Sequence, residues 1–286
     1  MEKLNSVKDG IKLNSGYSIP CIGYGTWQML DETAVNCVKY AIDAGYRHID
    51  TAADYRNEAS VGKGIQASGI SREDIFVTTK HWVSDRGYDK TIAAAEHSLS
   101  LLGMDYLDLY LIHWPCVAKN HTDWKEVNAD TWRGFEAMVK AGKIRSIGVS
   151  NFLPHHLEAL IENAEIMPAV DQIEFHPGFP QLETVKWCHE HGIVVEAWSP
   201  LGCGAVLKDD FLNAMAAKYG KSVAQLCIRY ALQHGVVPVP KTMTPSRIHD
   251  NMDVFDFTIS EEDMAAIDAM PKIGCNGFYP DDAPCG

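Results

Sequence analysis

Eight short apolar runs recur along the chain, at residues 20–23, 48–51, 75–80, 107–113, 146–150, 170–174, 193–198 and 236–241. Segments with helical spacing separate them. Residues 32–44 carry Ala34, Val35, Val38, Ala41 and Ile42 on one face, and 91–102, 131–140, 157–163 and 182–191 follow the same pattern. A longer piece, 210–234, reads as two helices broken near Gly220, and two more helices follow at 245–254 and 260–269. Strand–helix alternation argues for parallel strands joined by helical crossovers. Eight such units point to a closed (β/α)8 TIM barrel rather than an open sheet. Ahead of the first run, residues 7–13 and 17–19 flank Asn14-Ser15-Gly16, a turn sequence, which predicts an N-terminal β-hairpin closing the barrel bottom. The last helices are extra to the eight-unit repeat. No Pro/Gly/Ser linker interrupts the 286 residues, so residues 1–286 are expected to form one barrel domain.

Charge narrows the function. The formal net charge is -13, with no Lys/Arg-rich run, which argues against a nucleic-acid partner. Residues 1–10 are polar, unlike a secretion signal, and no stretch approaches a membrane span of about 20 apolar residues. The cysteines at 21, 37, 116, 188, 203, 227, 275 and 285 form no Cys-x-x-Cys pair, so zinc is disfavoured. Scattered free thiols fit a reducing cytoplasm. Asn120-His121-Thr122 matches a glycosylation acceptor, but without a secretion signal it reads as chance.

In a barrel of this kind the chemistry sits at the C-terminal ends of the strands. The second run delivers Asp50, with Tyr55 just beyond; the third ends on Lys80 and the fourth on His113. Each has an ordinary explanation. An Asp after a strand caps helices, a Tyr packs, a Lys reaches solvent along its aliphatic stem, and a His on an apolar strand is a satisfied core residue. Four together on three consecutive strand ends favour function. The set also makes chemical sense. Hydride reduction of a carbonyl needs a proton for the developing alkoxide, and Tyr, with an ordinary pKa of about 10, is a weak donor at neutral pH. A Lys ammonium beside it favours tyrosinate and is expected to bring that value down. Asp50 pairs with and holds Lys80, and His113 donates to the carbonyl oxygen. No metal is required.

The segment Gly45-Tyr-Arg-His-Ile-Asp-Thr-Ala-Ala-Asp-Tyr-Arg-Asn-Glu58, with Ile147-Gly-Val-Ser-Asn-Phe152 and Val239-Pro-Lys-Thr242, resembles the aldo-keto reductase family over residues 13–257. Within that family the likeness is strongest to the bacterial 2,5-diketo-gluconate reductase and prostaglandin F synthase-like branch. The resemblance implies the tetrad Asp50, Tyr55, Lys80 and His113, NADPH as cofactor, a small carbonyl substrate and a monomer. It also implies cofactor contacts at Gly25, Thr26, Trp27 and Asp50. Ser150, Asn151 and Gln172 are implied to hold the nicotinamide carboxamide, and Trp198 to stack on the ring where many members have Tyr. Ser199, Leu201 and Gly202 are implied to line the pyrophosphate, and Lys241, Thr242, Arg247 and Asn251 to grip the adenosine end. Neither Gly23-Tyr-Gly25-Thr-Trp-Gln28 nor Gly202-Cys-Gly204 completes a Rossmann fingerprint, so a conventional dinucleotide fold is disfavoured.

Trp27, Trp82 and Trp114 each follow a strand end and, with Tyr55 and His113, suggest substrate-pocket walls. The tail after residue 273 is short, which suggests an open site. A cofactor-binding regulatory subunit on the same fold is the alternative, disfavoured by the intact tetrad. A Schiff-base isomerase or lyase at Lys80 is opposed by Asp50, whose pairing keeps the amine protonated. A metallohydrolase is weaker still, because His189-Glu-His191 lacks His-x-x-x-His spacing.

Overall fold

The computed structural model describes residues 4–273 and 277–283. Strands β1 (Gly10–Lys12) and β2 (Ser18–Pro20) pair antiparallel, with Ile11 opposite Ile19. Then come β3 (Tyr24–Gly25), β4 (His48–Asp50), β5 (Phe76–His81), β6 (Leu107–Ile112), β7 (Ile144–Ser150), β8 (Val170–Glu174), β9 (Val194–Trp198) and β10 (Val236–Pro238). These eight lie parallel in sequence order. The two ends of the sheet meet: the Gly23 N–H donates to Pro238 O at 2.9 Å and the Gly25 N–H to Pro240 O at 3.1 Å. The expected barrel is therefore closed. Its first strand falls at 24–25 rather than 20–23, because Pro20 is drawn into the hairpin and pairs with Gly10. The last strand stops at Pro238, three residues before Lys241, because Pro238 and Pro240 have no N–H to give.

Two packing layers hold the barrel. Leu13 and Ile19 of the hairpin share a buried cluster with Phe76, Leu109, Leu111, Val170, Val194 and Val237, so the hairpin plugs the bottom as expected. The outward faces of the strands pack on helices α1 (Asp31–Ala44), α2 (Glu58–Ser68), α3 (Tyr88–Leu102), α4 (Trp124–Lys140), α5 (Pro154–Ile161), α6 (Leu182–Glu190), α7 (Asp210–Lys218), α8 (Val223–Gln233), α9 (Pro245–Asp250) and α10 (Glu261–Asp268). With one face of each strand lining the bore and the other under helices, both faces are dry, which is why the strands read as nearly continuous apolar runs.

Helix α2 has no counterpart among the helical segments read from the sequence. Gly62 and Gly64 weaken its signal, since glycine is a poor helix former. Packing explains them: a Cβ on Gly62 would lie 2.2 Å from the Leu102 carbonyl oxygen, and one on Gly64 would lie 2.8 Å from that of Val35. Helix α4 begins seven residues earlier than the expected 131. Its first turns break the apolar pattern with Asn128, which is buried and clasps both the N–H and the C=O of Cys116.

Candidate active site

The four strand-end residues converge at the C-terminal mouth. Asp50 is the last residue of β4, and Lys80 lies near the end of β5. Tyr55 closes a 3-10 turn, Ala53–Tyr55, which Arg56 terminates in a left-handed conformation. His113 follows β6, its N–H donating to His81 O at 3.2 Å. The Lys80 side chain is wholly buried, and an ammonium in that position needs all three of its donors satisfied. They are: Nζ donates to Asp50 Oδ1 at 2.7 Å, to Thr51 O at 2.9 Å and to the Tyr55 hydroxyl at 3.3 Å. The Tyr55 oxygen thus accepts from Lys80, and its own proton is left for another acceptor. The His113 ring lies edge-on to Tyr55 at 5.7 Å and to Trp82 at 5.2 Å between centroids.

Burial would lower Lys80, but Asp50 and Tyr55 outweigh it and hold the amine above its ordinary value. The ammonium form is therefore favoured, which argues against a free-amine Schiff base. Burial, then Lys80 and His81, push His113 well below the ordinary imidazole value, so it is neutral at pH 7. Tyr55 departs from expectation. Burial raises it, Lys80 pulls it down and Asp50 pushes it up again, and the net direction is upward. The ammonium moderates the phenol but does not bring it below its ordinary value, because the desolvation of the anion is the larger effect. The hydroxyl keeps its proton at neutral pH.

The residues expected at the carboxamide are tied to one another. Ser150 donates to Gln172 O at 2.7 Å, Asn151 Nδ2 to His113 O at 2.9 Å and to Ser150 Oγ at 3.1 Å, and Trp198 Nε1 to Asn151 Oδ1 at 2.8 Å. The indole N–H that a Tyr would lack is what fixes the plane of Trp198. Gln172 Nε2 donates to Asp50 Oδ2 at 2.9 Å, and its carbonyl oxygen keeps its acceptor capacity. Asn151 and Ser199, at the ends of β7 and β9, take left-handed φ values of 64° and 49°. Such conformations in non-glycine residues collect at binding sites. Ser199 Oγ accepts the N–H of Cys203 in a tight turn with Leu201 and the buried Gly202. Thr26 faces inward, fully buried, and donates to Asp50 O at 2.9 Å; beside it Trp27 is 48% exposed. Lys241 sits on the rim beside Gly25, its Cβ 3.6 Å from where a Cβ on Gly25 would lie. Thr242 and Asn251 are buried, and Arg247 is exposed on α9. No ion pair joins Arg247 to Asp250 or Asp253; Asp253 pairs with Lys221 at 3.1 Å.

A model of the family described as "Aldo/keto reductase family" matches residues 21–272. The chain belongs to the aldo/keto reductase family. Glyoxal reductase of Bacillus subtilis is 50% identical over 278 residues, covering 97% of this chain and 98% of that protein. A 9,11-endoperoxide prostaglandin H2 reductase of Trypanosoma cruzi is 46% identical over 95% of this chain and 94% of its own. Among solved structures, a Bombyx mori aldo-keto reductase in complex with NADP superposes with a TM-score of 0.84 at 38% identity, over 93% of each chain. As an aldo-keto reductase this chain is an oxidoreductase of carbonyl groups.

One expectation about the rim needs correction. The short tail does not leave the reductase mouth open. Phe278 packs edge-on to Trp114 at 6.0 Å, and a Cβ on Gly277 would meet the Trp198 ring at 2.9 Å. The tail is fastened at several points: Asp281 accepts from His155 at 2.9 Å, Lys119 pairs with Asp282, and Asn120 Nδ2 donates to Ala283 O at 2.6 Å. Trp114 is buried under this strap, and Trp82 is half-buried beside His113. His81 points away from the mouth, bonded to Asp85 O at 2.7 Å and packed on Tyr110 and Phe135. No disulfide joins the six described cysteines; Cys275 and Cys285 lie outside the described residues.

One supporting residue was not singled out from the sequence. Asn57, buried, accepts from Thr51 Oγ1 at 2.6 Å and donates to Thr26 O and Met29 O at 2.9 Å each. It locks the turn carrying Tyr55 to the loops after β3 and β4. Its signal was its place in the 45–58 segment, two residues after Tyr55.

Proposed function

We propose that this aldo-keto reductase reduces aldehydes and ketones to alcohols with NADPH, and that Tyr55 is the general acid. The observation that carries the reading is the full commitment of the Lys80 ammonium to Asp50, Thr51 and Tyr55. This arrangement leaves the phenol proton free and places a positive charge against the oxygen that must become anionic. The chemistry NADPH supplies when bound is a hydride for the carbonyl carbon. The chain supports such a cofactor in several ways. Gln172 retains an unspent carbonyl oxygen for a carboxamide, Trp198 is held in one plane for stacking, and among the described residues Lys241 and Arg247 have no carboxylate partner. Ser150 and Asn151 hold the platform, Ser199, Leu201 and Gly202 line the phosphates, and Thr242 and Asn251 flank the adenosine end. Gly25, Thr26 and Trp27 border the same side.

As the alkoxide develops, Tyr55 gives it a proton, and the tyrosinate left behind keeps its hydrogen bond from Lys80. Asp50 anchors that lysine without neutralising Tyr55. His113 is neutral, and among the described residues its buried Nδ1 has no partner. An N–H buried without an acceptor is rarer than an orphan acceptor, so the proton belongs on Nε2, which donates to the carbonyl oxygen and orients it. Trp27, Trp82 and Trp114 wall the substrate. The name of the Bacillus subtilis relative makes small α-dicarbonyls the first substrates to try. Residues 1–286 act as one domain and as a monomer, and the described cysteines, none of them in a disulfide, fit a cytoplasmic setting. Among the described residues no helix is long and apolar enough to cross a membrane. The test is turnover of a panel of glyoxal, methylglyoxal, simple aldehydes and ketones with NADPH and with NADH. Carbonyl-dependent oxidation of NADPH is expected. Tight NADPH binding without turnover of any carbonyl would overturn the reading in favour of a binding subunit.

A further inference from the structure

Below the tetrad, the barrel bore holds a second ionisable residue that the mechanism does not use. Glu196, at the middle of β9, is fully buried and stands in register with Gln172 on β8. Gln172 Nε2 is shared between two carboxyl groups, Asp50 Oδ2 at 2.9 Å and Glu196 Oε2 at 3.2 Å. Among the described residues the other Glu196 oxygen, Oε1, has no hydrogen-bond partner, and neither does His48 Nδ1; the two face each other at 3.7 Å. His48 Nε2 meets Thr78 Oγ1 at 2.9 Å. The charged and titratable groups around Glu196 are Asp50 and His48 from β4 and Lys80 from β5, while β10 presents only Val236, Val237 and Pro238.

We propose that Glu196 is a positioning residue for carbonyl reduction: from one layer below the mouth it holds the Gln172 amide across Asp50, and so governs how much of the Lys80 charge acts on Tyr55. The inference rests on the reading of Tyr55 as the acid. The neutral Glu196 acid fits this geometry better than the carboxylate, although 3.7 Å is too long for a hydrogen bond to His48 as the side chains stand. Its carbonyl oxygen accepts from Gln172, and its hydroxyl turns toward the bare Nδ1 of His48, which burial keeps uncharged. Burial first, then Asp50, pushes Glu196 up to about 8. Once it ionises, a second carboxylate lies against the single ammonium, in a medium where charges act over several ångströms with little screening. Lys80 then stabilises the tyrosinate less, and reduction slows as pH rises through the Glu196 titration.

The experiment is the pH profile of kcat/KM for an aldehyde with saturating NADPH, from pH 6 to 9.5, in wild type, Glu196→Gln, Glu196→Leu and Tyr55→Phe. Gln keeps the size and both hydrogen-bonding roles but cannot ionise. The wild-type rate is expected to fall by about three- to tenfold across the Glu196 titration, because one unit in Tyr55 acidity is about tenfold in the stability of its anion. In Glu196→Gln that inflection is absent. Glu196→Leu, which leaves one Gln172 N–H unsatisfied, loses kcat several-fold with the aldehyde KM little changed, and Gln at this position rescues it. A Glu196→Gln profile that keeps the wild-type inflection overturns the proposal. If Glu196→Gln does not fold, the infrared stretch of a buried protonated carboxyl in wild type answers instead. It should be present at pH 6 and vanish through about 8, and its absence at pH 6 overturns the proposal. Tyr55→Phe separates the two claims. Full activity in that variant refutes the acid itself, whereas an inactive Tyr55→Phe beside an unchanged Glu196→Gln profile refutes only the role of Glu196.

Discussion

Replacing Lys80 with Met keeps most of the side-chain volume and deletes the ammonium. Three hydrogen bonds disappear with it, at 2.7, 2.9 and 3.3 Å. Asp50, 3% exposed, is left as a buried carboxylate. Removing one partner of a buried ion pair costs about 3–5 kcal/mol, and the lower end applies here because Gln172 still donates to Asp50 Oδ2. The catalytic loss is separate. Without the ammonium, burial, Asp50 and Asp54 act on Tyr55, and all three disfavour its anion. Loss of an effective general acid costs about 100-fold or more. Urea midpoints and steady-state NADPH oxidation read the two effects independently. Lys80→Met should lose both stability and rate. Adding Asp50→Asn should restore most of the stability, since the orphan charge is gone, and none of the rate. Asp50→Asn alone should do less harm to the rate than Lys80→Met. A double variant that regains activity would show that Lys80 serves only to neutralise Asp50, and the charge-on-tyrosine argument would be wrong.

Arg247→Ala should weaken NADPH binding by about 1.5–3 kcal/mol, the scale of hydrogen bonds to a charged group, and leave NADH binding nearly unchanged. Equal losses for both, measured by fluorescence titration, would remove Arg247 from the ribose phosphate. Gly62→Ala forces a Cβ to within 2.2 Å of the Leu102 carbonyl oxygen, and should cost at least about 1–3 kcal/mol in thermal or urea unfolding. Stability should also fall with rising pH between about 6.5 and 8. Glu196 is raised from 4.5 to about 8 on folding, so the folded chain holds that proton longer, and the stability it contributes below 4.5 is lost as pH climbs to 8. The slope from this group approaches about 1.4 kcal/mol per pH unit, and Glu196→Gln should remove it. His48, lowered from 6.5 to about 3, works oppositely and only at lower pH, so its loss of stability lies between 6.5 and 3.

The barrel was legible because each strand is dry on both faces and each helix has one dry face, and those periods survive in the sequence. The hairpin was legible from Asn14-Ser15-Gly16. Helix α2 was not, because the glycines that let it wedge between α1 and α3 erase the pattern by which helices are recognised. The four residues of the mouth stood out because polar groups are costly at buried strand ends. Glu196 and His48 lie in runs just as apolar and carry the same signal, but their partners across the bore come from strands distant in sequence, and nothing local pairs them. The net acidity of Tyr55 is not legible in the sequence for a related reason. The nearby lysine is visible in the sequence, while the depth of burial that outweighs it exists only once the barrel closes. The tail, read by its length, concealed the strap that His155, Lys119 and Asn120 make of it.

The most direct test of the central claim is a single-turnover reduction of a good aldehyde by Tyr55→Phe with NADPH prebound. The ring and its contacts with His113 remain, and the only loss is the hydroxyl that accepts from Lys80. The account predicts NADPH binding within about twofold of wild type and a rate lower by at least about two orders of magnitude. A Tyr55→Phe enzyme that binds NADPH normally and reduces the aldehyde at near wild-type rate would contradict it.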